Sequence, residues 1–234
     1  MSYYYENRVR YSETDSDGKL NISSIVNYFQ DTTTFHSESL GVGMNYLKAK
    51  NMAWVLNSWQ IIIDESIDFG EKIKVATVPY DFKSIYGYRN FWIEHNDKIV
   101  VKANSIWVLL DIEKGMPVKI SDEISSAYPI GDKLDMEYGE RKIKISGEGI
   151  AKEQFRVKKY HIDTNGHVNN ACYVQFAEEY LPENFKVRML RAEYKKAAKY
   201  GNIVCPMVYL DEDKVTVSLN DEEGTIYSVV EFTK

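Results

Sequence analysis

DSDGKLNISSIVNYFQD, residues 15–31, and DTNGHVNNACYVQFAEE, residues 163–179, align without a gap. A shift of 148 positions sets Asp15 on Asp163, Gly18 on Gly166, Leu20 on Val168, Asn21 on Asn169 and Tyr28 on Phe176. Upstream the same shift sets Arg8-Val9 on Arg156-Val157, and downstream FGEKI at 69–73 meets YGNIV at 200–204 at a shift of 131. Two matches in the same order, with similar flanks, make the chain two copies of one unit. The second copy lacks 17 residues between its helix and its next strand.

Each copy reads as a strand, a turn, a helix and a run of long strands. In the first, Ile22, Ile25, Val26 and Phe29 fall at helical spacing, with Gly41 as the stop. WVLNSWQIII, KIKVATVPY, YGYRNFWIEH and VVKANSIWVLLD follow, rich in β-branched and aromatic residues and separated by DFG, DFKS and HNDK turns. In the second, Pro182 stops the helix, and KVRMLRAEYKK, IVCPMVYL, KVTVSL and TIYSVVEF follow as strands. One helix and a run of antiparallel strands bury both apolar faces best as a helix wrapped by a curved sheet, the α+β hotdog arrangement. Two tandem hotdog domains in one chain can pair edge to edge as a pseudo-dimer, which removes an exposed sheet edge. Patterning breaks between about Ser121 and Gly149. The expected division is an N-terminal domain over 1–125, a linker over 126–150 and a C-terminal domain over 151–234.

Hydrophobic residues are 44% and charged residues 27% of the 234, a globular balance that leaves little room for disorder. The first residues lack a basic and then apolar leader pattern, and no stretch approaches the roughly 18 apolar residues of a membrane span, so a cytoplasmic protein is expected. Cys172 and Cys205 are too few for a disulfide framework and stand in no metal-ligand pattern. His161, Asp163 and His167 lack the H-x-x-x-H spacing of common zinc motifs, and DSDG at 15–18 lacks the later ligands of a calcium loop. Neither metal nor cofactor is expected. The net charge of −6 repels phosphate polymers and argues against nucleic acid. That charge is uneven: residues 152–201 hold ten Lys/Arg against six Asp/Glu, while 202–234 hold two against seven.

Most of the chain resembles the acyl-acyl-carrier-protein thioesterases of plants and bacteria. The resemblance rests on WVLNSWQIIIDESIDFGEKIKVATVP, YRNFWI and ANSIWVLLDIEKGMPVKI in the first half. In the second half it rests on D-x-N-x-H-V-N-N at 163–170 and AEYKKAAKYGN at 192–202. It implies hydrolysis of fatty acyl-carrier-protein thioesters in fatty acid biosynthesis, an acyl-chain pocket in the N-terminal domain, and catalytic Asp163, Asn165 and His167. Plant members carry Glu and Cys where this chain has Ala197 and Ala198, so a cysteine nucleophile is rejected here.

If 163–167 is extended, Asp163, Asn165 and His167 project to one side, just before a helix. The first turn of that helix, at Asn169 and Asn170, offers backbone N–H groups and a positive dipole end to an oxyanion. Asp163 is the candidate for activating water or attacking directly, His167 for positioning water or assisting the departing thiol, and Asn165 for fixing the geometry. The first copy has Asp15, Asp17 and Lys19 at these positions: the turn and its Asp without the Asn/His pair.

An acidic carrier protein calls for a basic docking patch, with Arg188, Arg191, Lys195, Lys196 and Lys199 as candidates. A homodimer is a further possibility. Two other readings stay open: a hotdog dehydratase or hydratase of acyl thioesters, and an acyl-binding module without hydrolysis.

Overall fold

Asn21 starts helix α1 (Ile22–Ser39) by accepting the Ser24 N–H on its side chain at 2.8 Å. The buried Ile25, Phe29, Thr32 and His36 of α1 fall on one face at helical spacing. The helix stops at Gly41, whose φ of +73° a residue without Cβ adopts freely. Gly41 N–H closes on Glu38 O at 3.0 Å and Val42 N–H on Ser37 O at 3.1 Å.

A computed structural model describes residues 2–234. Its contacts divide into two units, one running through Asn57 and resuming over Ile63–Tyr138, the other comprising Ser58–Ile62 and Gly139–Lys234.

The first unit lays α1 on strands β1 (Tyr3–Arg8), β2 (Met52–Ile63, through Asn57), β3 (Lys72–Lys83), β4 (Tyr86–His95) and β5 (Lys98–Asp111). Their order is β1-β3-β4-β5-β2, and the β1–β3, β3–β4 and β4–β5 pairs are antiparallel. Phe29 of α1 meets Phe91 of β4 with ring centroids 5.1 Å apart, and both are fully buried. A second cluster gathers Val42, Leu47, Leu109, Ile120, Ile124 and Tyr128 around α2 (Met44–Ala49) and α3 (Asp122–Ala127), while the short, exposed β6 (Met116–Pro117) pairs with β5. Burial of each such side chain stabilises by roughly 1.5–3 kcal/mol.

The second unit contains β7 (Ile150–Ala151), β8 (Phe155–Arg156), α4 (Asn170–Glu178), β9 (Met189–Tyr194), β10 (Ile203–Leu210), β11 (Lys214–Asn220) and β12 (Ile226–Thr233). Residues Ser58–Ile62 of β2 pair antiparallel with β9, from Ser58↔Glu193 to Ile62↔Met189, and the order continues β9-β12-β11-β10-β7. Helix α4 packs on β11 and β12. It has nine residues against 18 in α1 and ends at Glu178, before the expected stop at Pro182.

The repeat is an α+β architecture of two copies, as the sequence leads one to expect. The stretch expected as a linker over 126–150 is anchored within each unit. Leu134 N–H and Tyr138 O–H both donate to Asn90 Oδ1 at 3.0 Å in the first unit. In the second, Gly139 N–H donates to Gln60 Oε1 at 2.9 Å and Ile143 N–H to Glu193 Oε2 at 3.1 Å.

Candidate active site

The Asp-Gly turn is built the same way in both copies. Asp163 N–H donates to His167 O at 2.8 Å and Gly166 N–H to Asp163 O at 3.1 Å, as Asp15 does with Lys19 at 2.8 Å and Gly18 with Asp15 at 3.1 Å. Gly166 at φ +78° and Gly18 at +72° supply the left-handed corner. Asp163 Oδ1 accepts the N–H groups of Asn165 at 2.8 Å and His167 at 3.3 Å, and Asp15 Oδ1 those of Asp17 and Lys19 at 2.9 Å each. The Asp in this position therefore organises its own loop.

That corrects the extended reading of 163–167, because the segment folds back on Asp163 and its side chains do not alternate along a strand. Asn165 lies exposed at the turn's tip, whereas Asp163 and His167 are half-buried. Among the described residues, Asp163 Oδ2, the Asn165 amide and the His167 imidazole have no hydrogen-bond partner. One carboxylate oxygen shapes the turn by accepting two backbone N–H groups, one of them from His167 itself.

The floor beneath the turn shares a backbone bond with the first copy and adds a tyrosine contact of its own. Val168 N–H donates to Ala198 O at 2.9 Å, as Leu20 N–H does to Ile67 O at 2.8 Å in the first copy. Buried Ala198 in turn gives its N–H to the hydroxyl of buried Tyr173 at 2.8 Å. Tyr173 stands where the first copy has Ile25. Burial pushes its phenol up to about 12, so it is protonated throughout the working range. Its ring centroid is 5.8 Å from that of Tyr194, whose hydroxyl donates to Asn170 O at 3.1 Å. Ala197 is exposed. Burial, then the nearby Asp163 carboxylate, raises the Cys172 thiol, which disfavours a thiolate nucleophile there.

Of the expected oxyanion donors, Asn169 is already committed: its N–H donates to His161 O at 2.9 Å, and its side chain caps α4 by accepting the Ala171 N–H at 2.9 Å. Asn170 is the first residue of α4.

His161 is a residue the sequence reading undervalued. It is buried, its Nδ1 accepts the Lys158 N–H at 3.1 Å, and its ring lies 4.8 Å from Phe176. Burial, then Lys158, lowers its pKa and favours the neutral ring. The first copy places Glu13 here, with Oε2 accepting Arg10 N–H at 2.7 Å and Tyr28 O–H at 2.5 Å. The shift of 148, followed upstream of the turn, marks Glu13 and His161 as equivalents.

Of the docking candidates, Arg191, Lys195 and Lys196 have carboxylate partners within the fold. Arg191 donates to Glu231 Oε1 at 2.9 Å, to Lys142 O at 3.1 Å and to Glu140 O. Lys195 pairs with Glu193 at 3.5 Å and Lys196 with Asp221 at 2.7 Å. Arg188 and Lys199 are exposed.

Residues 1–128 match the model of the acyl-ACP thioesterase N-terminal domain, and residues 146–227 that of the C-terminal domain. The chain belongs to the acyl-ACP thioesterase family. Among curated members it is 24% identical over 234 residues to a chloroplastic palmitoyl-acyl carrier protein thioesterase of Gossypium hirsutum, covering 91% of this chain and 56% of that protein. It is 21% identical to a chloroplastic oleoyl-acyl carrier protein thioesterase of Coriandrum sativum, covering 96% and 67%. The chain spans about half the length of the palmitoyl relatives it matches. An acyl-ACP thioesterase crystal structure from Bacteroides thetaiotaomicron superposes with a TM-score of 0.91 at 21% identity, over 99% of this chain and 97% of that one. The 12:0-ACP thioesterase of Umbellularia californica superposes with 0.86 at 18% identity, over 99% and 96%. These matches establish the hotdog fold of the family.

Proposed function

We propose that this family member hydrolyses the thioester of a fatty acyl chain carried on acyl carrier protein, releasing the free acid and the carrier thiol. The observation that carries the reading is the second-copy turn. It keeps the loop-forming Asp of the first copy and adds Asn165 and His167 above a floor of Ala198 and Tyr173. Water adds its oxygen to the acyl carbon, the C–S bond breaks, and the water's two protons end on the departing sulfur and in the carboxylic acid pool. Asp163, through Oδ2, and His167 take the base and acid roles of that exchange. The N-terminal end of α4 at Asn170 is the place for the developing oxyanion. The buried, protonated Tyr173 holds Ala198 against the turn, where plant relatives are expected to carry a thiol.

The same reading places the acyl chain in the first unit and the protein in the cytosol, where two unpaired cysteines are stable. Ala197 and Ala198 favour one second reading, an acyl-binding module without hydrolysis. Purified protein is mixed with acyl-carrier substrates and free thiol is followed with a chromogenic disulfide. Catalytic release of one thiol per substrate supports hydrolysis. Tight binding without thiol supports the binding module, and a changed acyl chain without thiol supports a dehydratase.

A further inference from the structure

Two loops of the second unit are locked side by side. Val157 N–H donates to Asn202 O at 2.9 Å, Gly201 N–H to Val157 O at 3.1 Å, and Arg156 Nη1 to Gly201 O at 2.8 Å. The lock gathers Lys158, Lys159, Tyr160, Lys199 and Tyr200 on one surface, every one of them exposed. Tyr160 and Tyr200 are 76% and 61% accessible; the Tyr160 ring meets His161 edge-on at 4.3 Å between centroids, and the Lys159 ammonium lies 5.9 Å from the Tyr200 ring centroid. Among the described residues, none of these three lysines pairs with a carboxylate.

The first unit is an internal control with the same lock. Val9 N–H donates to Glu71 O at 2.9 Å, Gly70 N–H to Val9 O at 3.0 Å and Arg8 Nη1 to Gly70 O at 2.8 Å. Its exposed aromatic pair is also present, with Tyr11 and Phe69 centroids 6.0 Å apart. Its charges, however, are cancelled locally. Arg10 pairs with Glu13 at 3.7 Å, and Asp68, at the position of Lys199, pairs with Lys19. The backbone lock therefore does not require the lysines. Unpaired positive charge is what the second copy adds, inside a chain of net charge −6.

The patch is continuous with the candidate site. Lys158 N–H holds His161, and Lys199 follows Ala198, whose carbonyl pins the turn. A partner seated here brings a flexible thioester arm to Asp163 and His167. We propose that Lys158, Lys159, Lys199, Tyr160 and Tyr200 form the docking surface for an acidic protein, the carrier of the acyl thioester. The proposal rests on the thioesterase reading for the partner's identity, and on the contrast between copies for its place. Exposed charges at such a surface act on encounter and on salt dependence, within a screening length of about 8 Å at physiological salt.

The test uses the charge-reversed double variant Lys159→Glu/Lys199→Glu. Fluorescence anisotropy of a labelled acyl carrier protein gives binding at low and high salt, and a neutral acyl-N-acetylcysteamine thioester gives turnover without a carrier. The expected result is a loss of roughly tenfold or more in carrier affinity, with most of the wild-type salt dependence gone and turnover of the small thioester unchanged. Arg10→Ala, at the first-copy position that matches Lys158 of the patch, leaves carrier affinity at the wild-type value. Carrier affinity within twofold of wild type in the double variant overturns the proposal, as does an equal loss in Arg10→Ala. Loss of small-thioester turnover in step with carrier affinity also overturns it, since the lysines would then act through the site. A wild-type protein that binds carrier yet cleaves neither substrate refutes the hydrolase reading alone, while anisotropy still decides the patch.

Discussion

Replacing Asp163 separates its two duties, because the first copy supplies a residue with only one of them. In Asp163→Ala the N–H groups of Asn165 and His167 lose the acceptor now at 2.8 and 3.3 Å. Bonds to charged acceptors contribute roughly 1.5–3 kcal/mol each, less when long and partly exposed, so the pair together is worth about 2 kcal/mol. For a chain of this length that lowers the thermal midpoint by about 4–8 °C. Asp15→Ala removes two bonds of 2.9 Å from an equivalent turn and costs a similar amount. Asp163→Asn keeps an oxygen at Oδ1 and loses about 1 kcal/mol or less. Turnover sorts the variants differently. Both Asp163 variants fall at least about 100-fold in kcat, as expected when an acid/base or nucleophilic group is removed, and Asp15→Ala keeps wild-type kcat. Thermal melting by circular dichroism and thiol release are measured on the same preparations. If Asp163→Asn keeps more than half of wild-type turnover, or if Asp15→Ala loses as much as Asp163→Ala, the division between loop-forming and chemical Asp is wrong.

Acid should loosen the first unit through His36. Burial, then the Arg89 guanidinium 2.9 Å from its Nδ1, pulls the imidazole down to about 4. Its folded pKa lies below the unfolded value near 6.5, so its contribution is full above about 6.5 and is lost as pH falls toward 4, by up to about 3 kcal/mol. Denaturant midpoints across that range check this, and His36→Gln flattens the slope. Gly166→Ala and Gly18→Ala force a side chain into positive φ at equivalent corners and each costs about 1–2 kcal/mol in the same titrations. Arg191→Ala strands the buried Glu231 carboxylate, leaving it Lys214 at 3.3 Å among the described residues, and destabilises by about 2–4 kcal/mol without weakening carrier affinity.

Local sequence made the fold legible because the repeated signals are local. Asp-x-x-Gly followed by Asn sets a turn, its left-handed glycine and a helix cap within seven residues, and the structure shows those contacts in both copies. The direction of the site's side chains was less legible. Alternating spacing at Asp163, Asn165 and His167 suggests a strand, but the Asp163 carboxylate and Gly166 at φ +78° close the segment into a turn instead. Surface charge was hardest to read, because partners are remote in sequence: Arg191 meets Glu231 40 positions on, and Lys196 meets Asp221 25 positions on. Composition marked the segment as basic, and only tertiary pairing shows which cations it leaves uncommitted. Glu13 against His161 and Ile25 against Tyr173 were available from the alignment of the copies, and they gain meaning once the contacts around them are seen.

The central claim is hydrolysis of a carrier-bound acyl thioester by the second-copy turn. Intact mass of the carrier over time tests it most directly, with wild type and His167→Ala at equal concentration. Wild type should convert acyl carrier to the free-thiol carrier, with one free fatty acid released per carrier. His167→Ala should be slower by at least about 100-fold while melting like wild type. A carrier mass that stays unchanged with wild type, or that shifts by one water with the acyl chain still attached, would contradict it.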